Sequence, residues 1–160
     1  MPTKKMVGKT LIKRVKRFSE NGRLSTETKK ALINNGYYLT DRAIEAQEKQ
    51  KFEEAINLFK KSSLCFKRQG DNGRAALCLR EGARLLEKTG ATREAQIKAY
   101  DEAGNLFVEC LRSLKKGTDG FWTKTHLVAI DGALGCFRLA GNEEKYNLIK
   151  RYYNGEITNI

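Results

Sequence analysis

The chain has 160 residues, with 31 Lys and Arg against 19 Asp and Glu and a formal charge of +12. That length suits one domain with a sizeable core and is short for two. At 31% charged and 40% apolar residues it reads as soluble and globular, and no run approaches the ~20 apolar residues that span a bilayer. The basic N-terminus has neither a continuous apolar stretch nor a small-residue cleavage site, so no secretory signal is expected and the cytoplasm is the expected compartment.

Cys65, Cys78, Cys110 and Cys136 lie far apart, with no CxxC pair, and His126 is the only histidine. This pattern predicts buried small hydrophobes in a reducing compartment rather than disulfides or a metal site. No Gly-rich phosphate loop is present, so no cofactor is expected. The charge is uneven. Residues 1–30 hold ten basic and two acidic side chains, a net of +8, and the other 130 hold 21 and 17, a net of +4.

Residues 4–19 carry Val7, Leu11, Val15 and Phe18 on one helical stripe. Lys4, Lys5, Lys9, Lys13, Arg14, Lys16 and Arg17 make the rest of this segment basic. Three roles fit an amphipathic basic helix here: an arm seeking an acidic protein or nucleic acid, a helix lying on an anionic membrane, or a cap on a stack of helices. Asn21-Gly22 ends it, dividing the chain into an arm (1–22) and a main domain (23–160). Ser25 to Thr28 favours a new helix start, running towards Gln50 with a kink or break at Asn34-Asn35-Gly36.

Further helices are expected over 53–68, 73–88, from Thr92 to about 116, from the Gly-rich break at 116–120 to Ala140, and over 143–153, with 154–160 as a frayed tail. The corners FKRQGD (66–71), LEKTGA (86–91) and FRLAGN (137–142) share one design, an apolar residue followed by Gly at the turn. Phe121-Trp122 after the break reads either as an exposed anchor or as a staple on the next helix start.

Between Leu39 and Leu106 the chain repeats with a period of 40 residues: Leu39, Ala43, Glu54, Ala55 and Ser63 recur as Leu79, Ala83, Glu94, Ala95 and Ala103. Small residues at fixed places in such a period predict stacked helix–turn–helix units. The run Phe52-Glu-Glu-Ala-Ile-Asn-Leu-Phe59, with Cys65-Phe66-Lys-Arg-Gln-Gly-Asp71, resembles tetratricopeptide-like repeats; Ala43, Ala55, Phe59 and Ser62 match the family's small, small, aromatic and small positions. The period exceeds the ordinary 34-residue unit, and the longer unit looks more like the soluble NSF attachment protein (SNAP) branch. The resemblance covers about residues 36–153 and implies an all-α, right-handed solenoid of about seven or eight antiparallel helices, whose basic surface engages an acidic helical partner. Members of that branch are nearly twice this long, and the half that recruits their ATPase has no counterpart here, so a partner-binding protein is expected rather than a disassembly factor.

Arg80 and Arg84 are one turn apart on the helix that the resemblance places on the concave face, where two guanidinia can grip a carboxylate. They also fit a solvated face paired with Glu81 and Glu87. No nucleophile is placed beside His126, so no catalytic group is assigned. The expected function is a noncatalytic adaptor that binds an acidic protein segment through Arg80, Arg84 and the basic arm. The alternative is contact with nucleic acid or an anionic membrane through the arm alone.

Overall fold

The computed structural model describes residues 34–114 and 122–160, and within them the regular structure is six helices and no strand. These are α1 (Gly36–Glu48), α2 (Phe52–Arg68), α3 (Asn72–Leu86), α4 (Arg93–Ser113), α5 (Lys124–Ala140) and α6 (Glu143–Tyr153). The basic helix expected over 4–19, and the start expected near Ser25, lie outside the described residues. The expected count of seven or eight therefore stands at six among those described.

Most helices begin where a side chain can accept from an unsatisfied backbone N–H. Asn35 accepts from Tyr37 N at 3.0 Å and Tyr38 N at 3.2 Å, so the Asn-Asn-Gly break is the start of α1. Asp71, Thr92, Thr123 and Asn142 cap α3 to α6 in the same way. Lys51 gives α2 no such bond, but Glu53 and Glu54 in its first turn and Lys67 and Arg68 in its last match the helix dipole.

The corners carry the repeat in the backbone itself. Gly90 has φ 70° and Gln50, 40 residues earlier, has φ 58°, although a side chain makes that region costly. Gln50, Gly70 and Gly141 each close a reversed pair of bonds, seen where Lys51 N reaches Ala46 O, Asp71 N reaches Phe66 O and Asn142 N reaches Phe137 O, each at 2.9 Å. Such corners reverse the chain without further residues, and each helix lies against the next. Among the described residues, the backbones of helices not adjacent in sequence come close mainly where α3 meets α5, while α4 reaches α6 and α2 through side chains. This is nearest-neighbour packing.

The small residues sit at the crossings, with Ala43, Ala55, Ala75, Ala76, Ala83, Ala103 and Ala133 all buried. Ala95 departs from the repeat: its counterpart Ala55 is buried, but Ala95 is exposed. The reason is the corner before it. Residues 87–92 separate α3 from α4, against only 49–51 between α1 and α2, and the longer corner carries the first turn of α4 past the end of α3. Its first buried residue is Tyr100. The tail is not frayed as expected. Ile157 and Ile160 pack on the core, and Arg112 Nε donates to Ile160 O at 2.6 Å.

Three arrangements lock the stack. At α1–α2–α3, the hydroxyls of Thr40 and Ser62 lie 2.7 Å apart, both donate to Gly36 O, and both lie 3.5 Å from the Cys78 thiol. At α4–α5 the packing is reciprocal: the ring of Phe107 sits on Gly132 and the ring of Phe137 sits on Gly104. At α4–α6, Asp101 accepts from Asn142 Nδ2 at 2.7 Å and Lys145 Nζ at 2.9 Å. Burial pushes the Asp101 carboxyl up, but hydrogen bonds from Lys145 and Asn142 outweigh it and hold the group below its ordinary range. All four cysteines are buried, as their spacing predicted.

A Cβ on Gly104 or Gly132 would lie 2.6 Å from a buried phenylalanine ring, whereas nothing lies within 4 Å of Gly135 on α5. We expect Gly104→Ala and Gly132→Ala each to destabilise by about 1–3 kcal/mol through overpacking. Gly135→Ala, which gains helix propensity without a clash, should stabilise by about 0.5–1 kcal/mol. Thermal melts of the three variants check this, and equal shifts in all three would mean that α4 and α5 are not in this close register.

Alkaline stability follows from two buried acids. Burial raises the Cys136 thiol from 9.0 to about 11. Burial, then Glu87, raises the Tyr100 phenol from 10.0 to about 12. Because the unfolded chain releases these protons first, their contribution is complete below pH 9 and is lost as the pH rises through the folded values. We expect the melting temperature to fall between pH 9 and 12, and Tyr100→Phe to flatten the upper part of that fall. A melting temperature constant over that range would contradict the burial of both groups.

Candidate protein-binding groove

Helix α3 reads Gly73, Leu77, Arg80 and Arg84 along one stripe, at spacings of four, three and four. Gly73 and Leu77 of this stripe face α5, because α4 holds both helices and leaves a channel between them. The near end of that channel is a groove of about 380 Å³. Asp71, Gly73, Arg74 and Leu77 form its α3 side, Lys124, Thr125, Val128 and Ala129 its α5 side, and Phe107 and Cys110 its floor. Val128 is 48% exposed and offers an apolar contact at the rim.

Phe107 ties this groove to the core. The ring that sits on Gly132 also floors the groove, and the Arg80 guanidinium lies 5.9 Å from its centroid. Arg80 therefore borders the channel one turn beyond Leu77, and Arg84 follows one turn later. Burial pushes the Cys110 thiol up, so this floor stays uncharged at neutral pH.

Charge along the groove is unbalanced towards positive. Arg74 pairs with Asp71 and stacks 5.4 Å over the Tyr37 ring. Arg84 Nη1 lies 3.1 Å from Glu81 and Arg80 Nη2 lies 3.5 Å from the same carboxylate, so two guanidinia share one acid. Glu87, the other acid expected on this face, instead accepts from Tyr100 Oη at 3.2 Å. Lys124 is exposed and forms no ion pair among the described residues. The groove's own lining thus carries Arg74 and Lys124 against Asp71, and beyond it on α3 Arg80 and Arg84 share Glu81. Such a surface, apolar at the floor and cationic at the rim, can take an apolar side chain with flanking acids.

Of the expected site residues, neither Arg80 nor Arg84 lines the groove: Arg80 lies over the Phe107 ring and Arg84 one turn further along α3, while Lys4, Lys5, Lys9, Lys13, Arg14, Lys16 and Arg17 lie outside the described residues. Arg74, Leu77, Lys124 and Val128 were not anticipated. The signal for Leu77 was present in sequence, since it precedes Arg80 by three and Arg84 by seven. Nothing local signalled Lys124 and Val128, whose place depends on how α5 is rotated against α4.

Phe121 lies outside the described residues. Trp122 is partly buried against the core, edge-on to Tyr152 at 5.0 Å, and so staples the start of α5 to α6. His126 is 1% exposed and away from the groove, with Nδ1 2.6 Å from Thr123 Oγ1 and Nε2 buried without a hydrogen-bond partner among the described residues. Among those residues no cluster of His, Cys, Asp or Glu could hold a metal ion, and no helix is long and apolar enough to cross a membrane. Comparison of the chain with protein-family models, curated proteins and solved structures finds no match.

Proposed function

We propose that this protein is a noncatalytic interaction module that binds an acidic protein segment in the α3–α5 channel. Its architecture on this reading is a right-handed tetratricopeptide-like stack of the SNAP kind, working in the cytoplasm. The observation that carries the proposal is the groove floored by Phe107 and rimmed by Arg74 and Lys124, with the Arg80 guanidinium over the same ring. Nearest-neighbour packing supports it, because helices stacked in this way present an extended surface to a partner. The seven arm cations, Lys4, Lys5, Lys9, Lys13, Arg14, Lys16 and Arg17, then accelerate encounter, while the channel decides which complex persists.

A second reading has one observation of its own. The net charge of +8 in residues 1–30 suits phosphate contact, either with nucleic acid or with an anionic membrane surface. It needs no channel, and so the two readings separate by experiment.

Fluorescence anisotropy with a labelled leucine–glutamate peptide and its leucine–lysine counterpart distinguishes them. The acidic peptide should bind, and binding should weaken with salt. Arg80→Ala with Arg84→Ala should weaken it by about tenfold, mainly in dissociation, and the exposed change Lys124→Glu should act in the same direction. Removal of residues 1–20 should instead slow association at low salt. Equal affinity for both peptides, or a double variant that binds as the wild type does, would refute the channel. Nucleic acid that copurifies at low salt and disappears with residues 1–20 would favour the second reading.

A further inference from the structure

A second groove, of about 460 Å³, opens between α2 and α4 and shares no lining residue with the first. Its two walls differ in sign. Lys60 and Lys67 stand on the α2 wall, and Glu102 and Glu109 stand on the α4 wall. Leu79 and Leu106 line it between these walls, and Leu64 on the α2 wall is 55% exposed, more than any other large hydrophobic side chain described.

The walls are in register. Helices α2 and α4 run in the same direction, since each is antiparallel to the α3 between them. Lys67 Nζ lies 3.7 Å from Glu109 Oε2 across the groove and fixes their level. Seven residues earlier on each helix stand Lys60 and Glu102, which is about 10.5 Å, or two turns, along the same axis. Neither forms an ion pair among the described residues. The groove thus carries two basic side chains on one side, two acidic ones level with them on the other, and an exposed leucine between the levels.

We propose that this groove is a self-association surface whose occupant is a second copy of the same chain. A twofold axis lying in the interface and parallel to the groove carries each wall of one copy onto the opposite wall of the other. Lys60 then faces the second copy's Glu102, Lys67 faces its Glu109, and each Leu64 enters the other copy's groove. An axis across the groove would set lysine against lysine, so the charge pattern selects one of the two arrangements. The basic segment of the chain itself is a poor occupant, because the Lys60–Lys67 wall repels it. The chain carries +12 overall but this patch is neutral, so the long-range repulsion is screened at physiological salt while the local pairs persist at contact distance.

The test is sedimentation equilibrium of the full chain at physiological salt with two oppositely charged double variants. Lys60→Glu with Lys67→Glu makes both walls acidic, and Glu102→Lys with Glu109→Lys makes both basic. The wild type should dimerise in a concentration-dependent way. Each double variant alone should associate at least about tenfold more weakly, and their equimolar mixture should recover a 1:1 dimer. Leu64→Glu should also be monomeric. All five positions are exposed, so far-UV dichroism should show each variant folded. A wild type that stays monomeric at every concentration would overturn the proposal and leave the groove to a different partner. A dimer that persists in both double variants, or a mixture that fails to associate, would overturn it as well.

Discussion

The reciprocal seating of Phe107 on Gly132 and Phe137 on Gly104 is the contact on which the rest of this molecule depends. Two buried rings occupy the places where side chains would otherwise hold α4 and α5 apart, so the helices approach closely along a fixed register. Close approach in turn places Phe107 beneath the channel between α3 and α5 and beneath the Arg80 guanidinium. Core packing and site geometry share one residue. A change at Gly132 should therefore reach the groove as well as the core, since the ring it displaces is the groove's floor.

The two ends of the stack are held by different physics. Around α1, the Thr40 and Ser62 hydroxyls both reach the Gly36 carbonyl and lie beside the Cys78 thiol, which buries polar atoms without leaving them unpaired. Around α6, a carboxylate does this work: Asp101 gathers Asn142 and Lys145, and Lys145 also reaches Asn105 at 2.9 Å. The hydroxyl and thiol cluster contains no ionised group, and the second junction depends on one. Acid should therefore loosen α6 before α1, because the stabilisation of a carboxylate held below its ordinary range is lost as the pH falls through that lowered value.

What could be read from sequence was local. Corners were legible because Gly70, Gly90 and Gly141 do at the backbone what glycine does in any chain, and caps at Thr92 and the break before Gly36 follow the same logic. The 40-residue period was also legible, and it holds where the corners are alike. It fails at Ala95, where the corner is longer and the residue is exposed. The α4–α5 seating was not legible. Gly104 and Gly132 show in sequence as small residues among many, and what matters is that each lies opposite a phenylalanine on another helix. For the same reason Arg80 and Arg84 could be named as a pair, while Lys124 and Val128, which complete the channel, could not.

On the proposed reading the α3–α5 channel, rather than the charge of residues 1–30 alone, recognises the partner. Backbone amide shifts of the full chain, followed as a leucine–glutamate peptide is added, test it most directly. Perturbations should concentrate between Arg74 and Arg84 on α3 and between Lys124 and Ala129 on α5, with α1 unmoved. Shifts confined to residues 1–30, with α3 and α5 silent, would contradict it.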